Sequence, residues 1–193
     1  MHHVSRPKLM NDYRIFVGAF PTEPLNEQIQ AMRQGYDAKT ARITPPHVTL
    51  AGTYWRSGHA TPENEAETIT RLESIQGEMA PFDLVLGGIE AFPQGVIYLG
   101  AAVTEGLLAA RAVLLKALGP DKHPHFVPHL TLAMRLTPAG NEQMQAELRQ
   151  TEWHTARWTV RMDELRLMQR GRDDPAWRTI YRLPLGGKVS SDQ

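Results

Sequence analysis

The stretch His47-Val48-Thr49-Leu50 recurs in the same chain as His129-Leu130-Thr131-Leu132, at an offset of 82 residues (129 − 47). At the same offset, Ile15-Phe16-Val17-Gly18-Ala19 aligns with Ile97-Tyr98-Leu99-Gly100-Ala101. Two separate stretches that repeat at one shared offset indicate a duplicated unit. Each copy of this unit carries one His-x-Thr motif.

The residues around the first motif predict a strand. Pro45-Pro46 favours extended backbone in the residues that lead into His47. Alternate side chains of a strand share a face, so His47 and Thr49 are expected to point to the same side. Val48 and Leu50 are then expected to point into the core. The same alternation is predicted for the second motif.

Apolar runs, helix caps and turn residues repeat in one order along the chain: strand, helix, His-x-Thr strand, helix, strand. This order predicts an α+β fold that is bilobal and duplicated, with two antiparallel-sheet lobes, outer helices and a central cleft. We expect a single domain over residues 13–185, with pseudo-repeats at about 13–91 and 95–185. A disordered start (1–12) and a tail (186–193) are expected outside it.

Two element boundaries are predicted from local signals. The first helix is expected to begin after Pro24 and to end at Gly35, because glycine commonly terminates helices. Near the other end of the chain, residues 155–168 form an almost continuous strand-like run. This run predicts one long strand.

The amino-acid composition limits the kinds of binding partner that we expect for this chain. Lys+Arg and Asp+Glu number 21 each in 193 residues, so no overall positive field would attract duplex DNA. The chain has no cysteine, which excludes disulfides, thiol catalysis and thiolate metal ligands and is typical of a reducing compartment. We see neither a secretory signal nor a membrane span. The expectation is a cytoplasmic monomer with no membrane association.

Two imidazoles and two hydroxyls on converging strands suit a particular chemistry. Imidazole, with a pKa of about 6.5, can both give and take a proton near neutral pH. One imidazole can deprotonate an attacking water while the other protonates the leaving oxygen of a phosphodiester. Threonine hydroxyls can donate to the non-bridging oxygens, where charge grows in the transition state. This chemistry needs no metal, and we expect no cofactor.

The paired Pro-His-x-Thr-Leu motifs resemble those of the two-histidine (2H) phosphoesterases, and in particular the RNA 2′,3′-cyclic phosphodiesterase group, also called 2′-5′ RNA ligase or LigT-like. The resemblance covers residues 13–185. It implies a bilobal α+β fold with the active site between the lobes. It also implies metal-independent hydrolysis of 2′,3′-cyclic phosphates, on RNA 3′ ends or nucleotides, to 2′-phosphomonoesters. Reverse 2′-5′ RNA ligation is an implied side activity.

Carried over by residue, the resemblance implies His47 as the general acid toward the leaving ribose oxygen and His129 as the general base on water. Because the site is nearly symmetric, these roles can exchange. Thr49 and Thr131 would be phosphate ligands. Phe126, three residues before the second histidine, resembles an aromatic residue that lies near the nucleotide in the family.

The sequence departs from the family at one position. An arginine often stands five residues after the second histidine, whereas here Met134 occupies that position and the arginine is Arg135. Strand alternation predicts that Arg135 still shares the face of His129 and Thr131 and can reach the phosphate. Arg170, in an arginine-rich stretch near the C-terminus, is a second candidate for a phosphate contact.

The first motif is followed by two aromatic residues. Tyr54 and Trp55 could stack on a base or cap the core at the strand end. We name Tyr54 as a substrate-binding candidate.

Two other functions fit the same residues. His123, His125 and His129 could form the ligand set of a metal-dependent hydrolase, since imidazole is a common zinc ligand. The chain could also be a non-catalytic domain that binds RNA or nucleotides. Retained activity in chelator would contradict the first alternative, and binding without turnover would support the second.

Overall fold

The computed structural model describes residues 12–186. Their elements, in chain order, are β1 (Asp12–Ala19), α1 (Leu25–Ile43), β2 (Val48–Ser57), a 3-10 turn (Glu63–Glu65), α2 (Ala66–Ser74), β3 (Phe82–Phe92), β4 (Val96–Ala101), α3 (Glu105–Leu118), β5 (His129–Ala133), α4 (Pro138–Leu148), α5 (Glu152–Thr155), β6 (Trp158–Met162), β7 (Glu164–Gly171) and β8 (Arg178–Pro184). No helix in this described part has the length and apolar character needed to cross a bilayer.

The expected disordered start and tail lie outside the described residues, apart from one residue of each. Asp12 already belongs to β1. The N–H of Gly186 donates to the carbonyl of Met79 at 2.8 Å. The predicted bounds of the domain, residues 13 and 185, therefore stay a prediction.

The eight strands form one antiparallel sheet in the order β6-β3-β4-β5-β2-β1-β7-β8. The two central strands, β5 and β2, carry the His-x-Thr motifs, and one bridge between Val48 and Leu130 joins them. The sheet therefore has a first half (β2-β1-β7-β8) and a second half (β5-β4-β3-β6) that meet at the motifs. The predicted α+β fold with two antiparallel halves is confirmed.

Each half takes strands from both copies of the repeat. β3 pairs with β4 and β6 in the second half, while β7 pairs with β1 and β8 in the first half. The helices cross over as well: α1 packs against β5, and α3 packs against β2 and β3. The two halves are thus tied together by elements that exchange across the central strands.

Burial alternates along both motif strands as predicted. Val48, Leu50, Leu130 and Leu132 are each 0% exposed and belong to the main hydrophobic core. The intervening histidines and threonines are half-buried. We call the side of the sheet that carries the four half-buried residues the motif face; these are His47, Thr49, His129 and Thr131.

The first helical segment ends close to the predicted stop at Gly35, but the prediction missed a second segment, with which α1 continues to Ile43. The helix is interrupted at Asp37, whose backbone angles (φ −146°, ψ 73°) are not helical. The Asp37 carboxylate accepts from the N–H of Thr40 at 3.0 Å and from the N–H of Met134 at 3.0 Å. It caps the second part of the helix in the manner of an N-cap, and this allows the helix to resume.

The predicted single strand over residues 155–168 is wrong. It divides into β6 and β7, which lie in different halves of the sheet. The break falls at Asp163, whose carbonyl accepts from the N–H of Leu185 at 2.7 Å. The division is set by long-range strand pairing, which local strand propensity does not reveal.

Arg111 of α3 forms a buried clamp beneath the motif strands. Its guanidinium makes two hydrogen bonds to Asp121, at 2.7 and 3.0 Å, and also donates to the carbonyl of Leu50 in β2. Asp121 in turn accepts from the N–H of Gly52 at 3.3 Å and from that of His123 at 3.0 Å. The clamp therefore joins α3, β2 and the segment that leads into β5.

Candidate active site

The two histidines are held in the same way. The Nδ1 of His47 lies 2.9 Å from the carbonyl oxygen of Pro45, and the Nδ1 of His129 lies 2.7 Å from that of Val127. Because a carbonyl oxygen only accepts hydrogen bonds, Nδ1 must carry the hydrogen in both rings. This leaves Nε2 of each ring as the nitrogen that can exchange a proton with a substrate.

Strand register brings the two motifs together. The antiparallel bridge between Val48 and Leu130, continued by one residue in each direction, sets His47 opposite Thr131 and Thr49 opposite His129. A positive charge on His129 lowers the pKa of His47, as expected of neighbouring imidazoles. Both His-Thr pairs therefore belong to one site.

Each imidazole also rests on an aromatic ring from the neighbouring strand. Phe16 of β1 stacks on His47 with ring centroids 4.6 Å apart, and Tyr98 of β4 contacts His129 at 5.1 Å. Phe16 and Tyr98 are equivalent in the 82-residue repeat (98 − 16). A Cβ atom at Gly18 would lie 3.4 Å from Cδ2 of His47 and 3.1 Å from the carbonyl oxygen of Val48. A small residue at this position therefore leaves room for the His47 ring.

Burial lowers the pKa of both histidines and so disfavours their charged forms. It lowers the pKa of His47 to about 4, against an opposing effect of the Pro45 carbonyl, while the charges of Arg33 and His129 lower it further. Burial also lowers the pKa of His129, again opposed by its backbone hydrogen bond. Arg33 is 2% exposed and donates to the carbonyl of Thr44 at 2.8 Å, just before Pro45. It thus anchors the segment that orients His47.

We expect the imidazole of His47 to titrate near pH 4 in the folded protein, well below the value of about 6.5 for a free imidazole. Because the folded pKa is lowered, the neutral ring stabilises the fold above about pH 6.5, and this contribution is lost as the pH falls toward 4. NMR titration of the ring Cε1–H resonances measures the midpoint directly. The urea-unfolded chain is the control, and a folded midpoint at or above 6.5 would contradict the assignment.

The position of Tyr54 does not support the predicted substrate contact. Its ring is 9% exposed in the main core, and its hydroxyl donates to the carbonyl of Gly119 at 2.8 Å. Tyr54 lies on the core side of β2, so its ring points away from the motif face. The next residue, Trp55, is 55% exposed and is the aromatic residue here that remains available.

Arg135 and Phe126 are the two other residues for which a substrate contact is predicted. β5 ends at Ala133, and Arg135 is exposed with a φ of 57°, so strand alternation does not extend to it. Its charge nevertheless lowers the pKa of Arg14, which places it near the first half of the sheet. Phe126 is half-buried and its ring lies 4.2 Å from the guanidinium carbon of Arg111. A nucleotide contact for either residue stays a prediction.

The alternative metal site does not assemble in the described part of the chain. Residues 12–186 contain no group of three or more His, Cys, Asp or Glu side chains placed to hold a metal ion. His123 lies near enough to His129 for its charge to lower the pKa of that residue. The set of His123, His125 and His129 therefore does not form the expected three-donor cluster.

Sequence reasoning missed Arg14 and Trp177, which lie beside Phe16. The rings of Trp177 and Phe16 form a T-shaped pair with centroids 4.7 Å apart, and the guanidinium of Arg14 lies 5.3 Å from the Trp177 ring centroid. Arg14 could have been found by alternation, since it precedes Phe16 by two residues in the same strand. Trp177 lies 161 residues after Phe16 (177 − 16), and no local signal joins them.

The fold is that of LigT. The Escherichia coli LigT structure with 3′-AMP matches 91% of this chain and 99% of its own, with a TM-score of 0.57 and 20% identity. The protein TT0787 of Thermus thermophilus matches the same shares of the two chains, with a TM-score of 0.56 and 22% identity. At these identities the likeness defines the fold alone.

The family follows from the sequence. The model of the 2′-5′ RNA ligase superfamily matches residues 20–174, which include both motifs, and this chain belongs to that superfamily. A Bacillus cytotoxicus protein with a provisional phosphoesterase name is 30% identical over 70% of this chain and 77% of its own length. A similarly named protein of Shouchella clausii is 30% identical over 67% and 75%. The resemblance to the 2H phosphoesterases is confirmed.

Proposed function

We propose that this chain hydrolyses 2′,3′-cyclic phosphates, on RNA 3′ ends or nucleotides, to 2′-phosphomonoesters without a metal ion. The observation that carries the proposal is the paired geometry of His47 and His129: each Nδ1 is committed to a carbonyl, and each Nε2 is left for proton transfer. The phosphoesterase names of the relatives support phosphoester chemistry. The LigT structures with 3′-AMP, ATP and NADP+ support a nucleotide as the substrate unit.

In the proposed step, a water oxygen attacks phosphorus in line with the ribose 3′-oxygen. One Nε2 takes a proton from the water as the new P–O bond forms. The bond between phosphorus and the 3′-oxygen breaks with its electron pair on that oxygen, which receives a proton from the other Nε2. Hydroxyl groups of Thr49 and Thr131 donate to the non-bridging oxygens. Exchange with solvent then restores both imidazoles, and a ribose 5′-hydroxyl in place of water would give ligation.

The lowered pKa of His47 supports one assignment of the acid and base roles to the two histidines. In the free protein His47, with its pKa of about 4, is the histidine held neutral more strongly, and a proton on His129 reinforces that state. A single proton on the pair is therefore disfavoured on His47. This favours His47 as the base and His129 as the acid in hydrolysis, the reverse of the assignment implied by the family resemblance.

The test is hydrolysis in EDTA of adenosine 2′,3′-cyclic phosphate and of an RNA that ends in a cyclic phosphate. We expect turnover to persist in chelator and the product to be the 2′-monophosphate, resolved by chromatography against both isomers. Protein treated with EDTA and then resupplied with zinc or magnesium is the control. Turnover that requires added metal, or a 3′-phosphate product, would refute the proposal.

Cytoplasmic location, a monomeric state and a lack of duplex binding are still predictions from composition.

A further inference from the structure

A second group of residues lies beside His47, and the hydrolytic step does not use it. We call it the arginine–tryptophan cluster; its members are Arg14, Trp55, Arg135, Arg170 and Trp177. β1, β2 and β7 contribute Arg14, Trp55 and Arg170. Arg135 follows β5, and Trp177 precedes β8.

The cluster adjoins the catalytic pair on the motif face. Arg14 and Phe16 are two residues apart in β1 and therefore point to the same side, separated by roughly 7 Å along the strand. The ring of Phe16 stacks on His47, and Trp177 packs on the edge of the same ring. Contacts thus run continuously from His47 through Phe16 to the cluster. A substrate that is bound at His47 and extends past Phe16 would run toward these residues.

The guanidinium of Arg14 lies close to two indoles. Its central carbon is 5.2 Å from the ring centroid of Trp55 and 5.3 Å from that of Trp177. Cation–π contacts of this kind occupy the faces of the guanidinium and leave its N–H edge free. Among the hydrogen bonds found within residues 12–186, none involves the Arg14 side chain. A guanidinium edge presents paired donors that match the oxygens of a phosphate.

Three arginines, Arg14, Arg135 and Arg170, contribute positive charge to this cluster. Arg170 lies opposite Arg14 in the β1–β7 pair. Burial lowers the pKa of Arg14, and the charges of Arg170 and Arg135 lower it further. The ion pairs found within residues 12–186 involve none of these three arginines. The adjacent Asp174 accepts from Arg170 through its backbone carbonyl, while its carboxylate accepts from the N–H of Gly171.

This local excess stands out in a chain whose Lys+Arg and Asp+Glu both number 21. Like charges held together repel each other, and a bound anion relieves that repulsion. Trp55 adds a second property, because it is 55% exposed although it contacts Arg14. An exposed indole beside cationic groups is the usual platform for stacking a nucleic-acid base. Anion binding and base stacking together describe one nucleotide unit.

We propose that the arginine–tryptophan cluster binds the nucleotide that precedes the reacting cyclic phosphate in an RNA chain. Arg14 and Arg170 bind the phosphodiester on the 5′ side of the terminal ribose, and Trp55 stacks on the preceding base. This inference rests on the proposed function and specifies its substrate class: the ends of RNA oligonucleotides are preferred to isolated nucleoside cyclic phosphates.

Three substrates distinguish the phosphate contact of the arginines from the base contact of Trp55. They are adenosine 2′,3′-cyclic phosphate with a 5′-hydroxyl, its 5′-phosphorylated form, and the dinucleotide ApA ending in a 2′,3′-cyclic phosphate. We expect Arg14→Gln to lower kcat/KM about tenfold or more on the two substrates with an additional phosphate, and less than about twofold on the first. Trp55→Ala should lower it about fivefold or more on the dinucleotide alone. Arg149→Gln, at an exposed arginine beyond α4, is the charge-matched control and should change none of them.

Equal losses on all three substrates, or no loss on the dinucleotide, would overturn the inference. Trp55 is exposed, so Trp55→Ala keeps the test valid if Arg14→Gln fails to fold. If no cyclic phosphate is turned over, quenching of tryptophan fluorescence by a tetraadenylate RNA tests the cluster alone. Binding that weakens with salt and falls about tenfold in Arg14→Gln would support the cluster even without turnover. Binding equal to that of Arg149→Gln would refute it.

Discussion

His47→Ala and His129→Ala are each expected to lower kcat on a 2′,3′-cyclic nucleotide by about 10²–10⁴-fold, because each removes one of the two proton transfers. The double variant should lose little more than either single variant, since the two groups act as a unit. Initial rates in EDTA measure the effect. His125→Ala, at an exposed histidine in the segment before β5, is the matched control and should retain activity. A single active-site variant that keeps more than about a tenth of the activity would contradict the paired mechanism.

The same variants can separate the acid from the base. In a cyclic substrate with sulfur in place of the leaving 3′-oxygen, the leaving group is a thiolate, which needs little protonation to depart. If His129 is the acid, His129→Ala should regain much of its lost rate on this substrate, while His47→Ala should not. The opposite pattern would establish the assignment implied by the family resemblance. Equal rescue of both variants would contradict a fixed division of roles.

Arg111→Met is expected to lower the free energy of unfolding by about 3–5 kcal/mol, because it leaves the Asp121 carboxylate buried without its cation. The side chains of Arg111 and Asp121 are only 9% and 3% exposed. Burial raises the pKa of Asp121, but hydrogen bonds from Arg111 and His123 outweigh it, and the net pKa is lowered. The stabilisation is therefore fully present at pH 7 and is lost only as the pH falls through the lowered pKa. Urea denaturation at pH 7 measures the change.

Two further variants test whether the buried charge causes that loss. Arg161→Met breaks an exposed ion pair with Asp83, and we expect it to cost less than about 1 kcal/mol. Arg111→Met combined with Asp121→Asn should be more stable than Arg111→Met alone, because the uncompensated charge is gone. Equal losses in the single and double variants would show that packing of the Arg111 side chain, and not its charge, stabilises this region.

Strand alternation predicted much of the site because the motifs lie in regular strands. His47 and Thr49 share one face while Val48 and Leu50 are buried, as expected from a period of two. The same reasoning failed where the strand stops. Arg135 lies beyond the end of β5, so its direction is set by the turn and not by the pleat. Tyr54 was assigned to the substrate although it is on the core side of β2.

The first helix and residues 155–168 show what local sequence signals do not predict. The helix is interrupted close to the predicted stop at Gly35, but Asp37 receives hydrogen bonds from Thr40 and from the distant Met134, and the helix resumes. Met134 directly follows β5 and is 97 residues from Asp37 in sequence. Local propensity could not include that contact. The same limitation explains the division of residues 155–168 into two strands in different halves.

The sequence by itself determined the duplicated motifs, the faces of the motif strands and the family, because these depend on residue types at short, regular spacings. Only the tertiary structure decided which strands became neighbours. It exchanged β3 and β7 between the halves and paired β2 with β5. It also gathered Arg14, Trp55 and Trp177 beside His47. These arrangements arise from long-range strand pairing and burial of a shared core, which no local pattern of residues specifies.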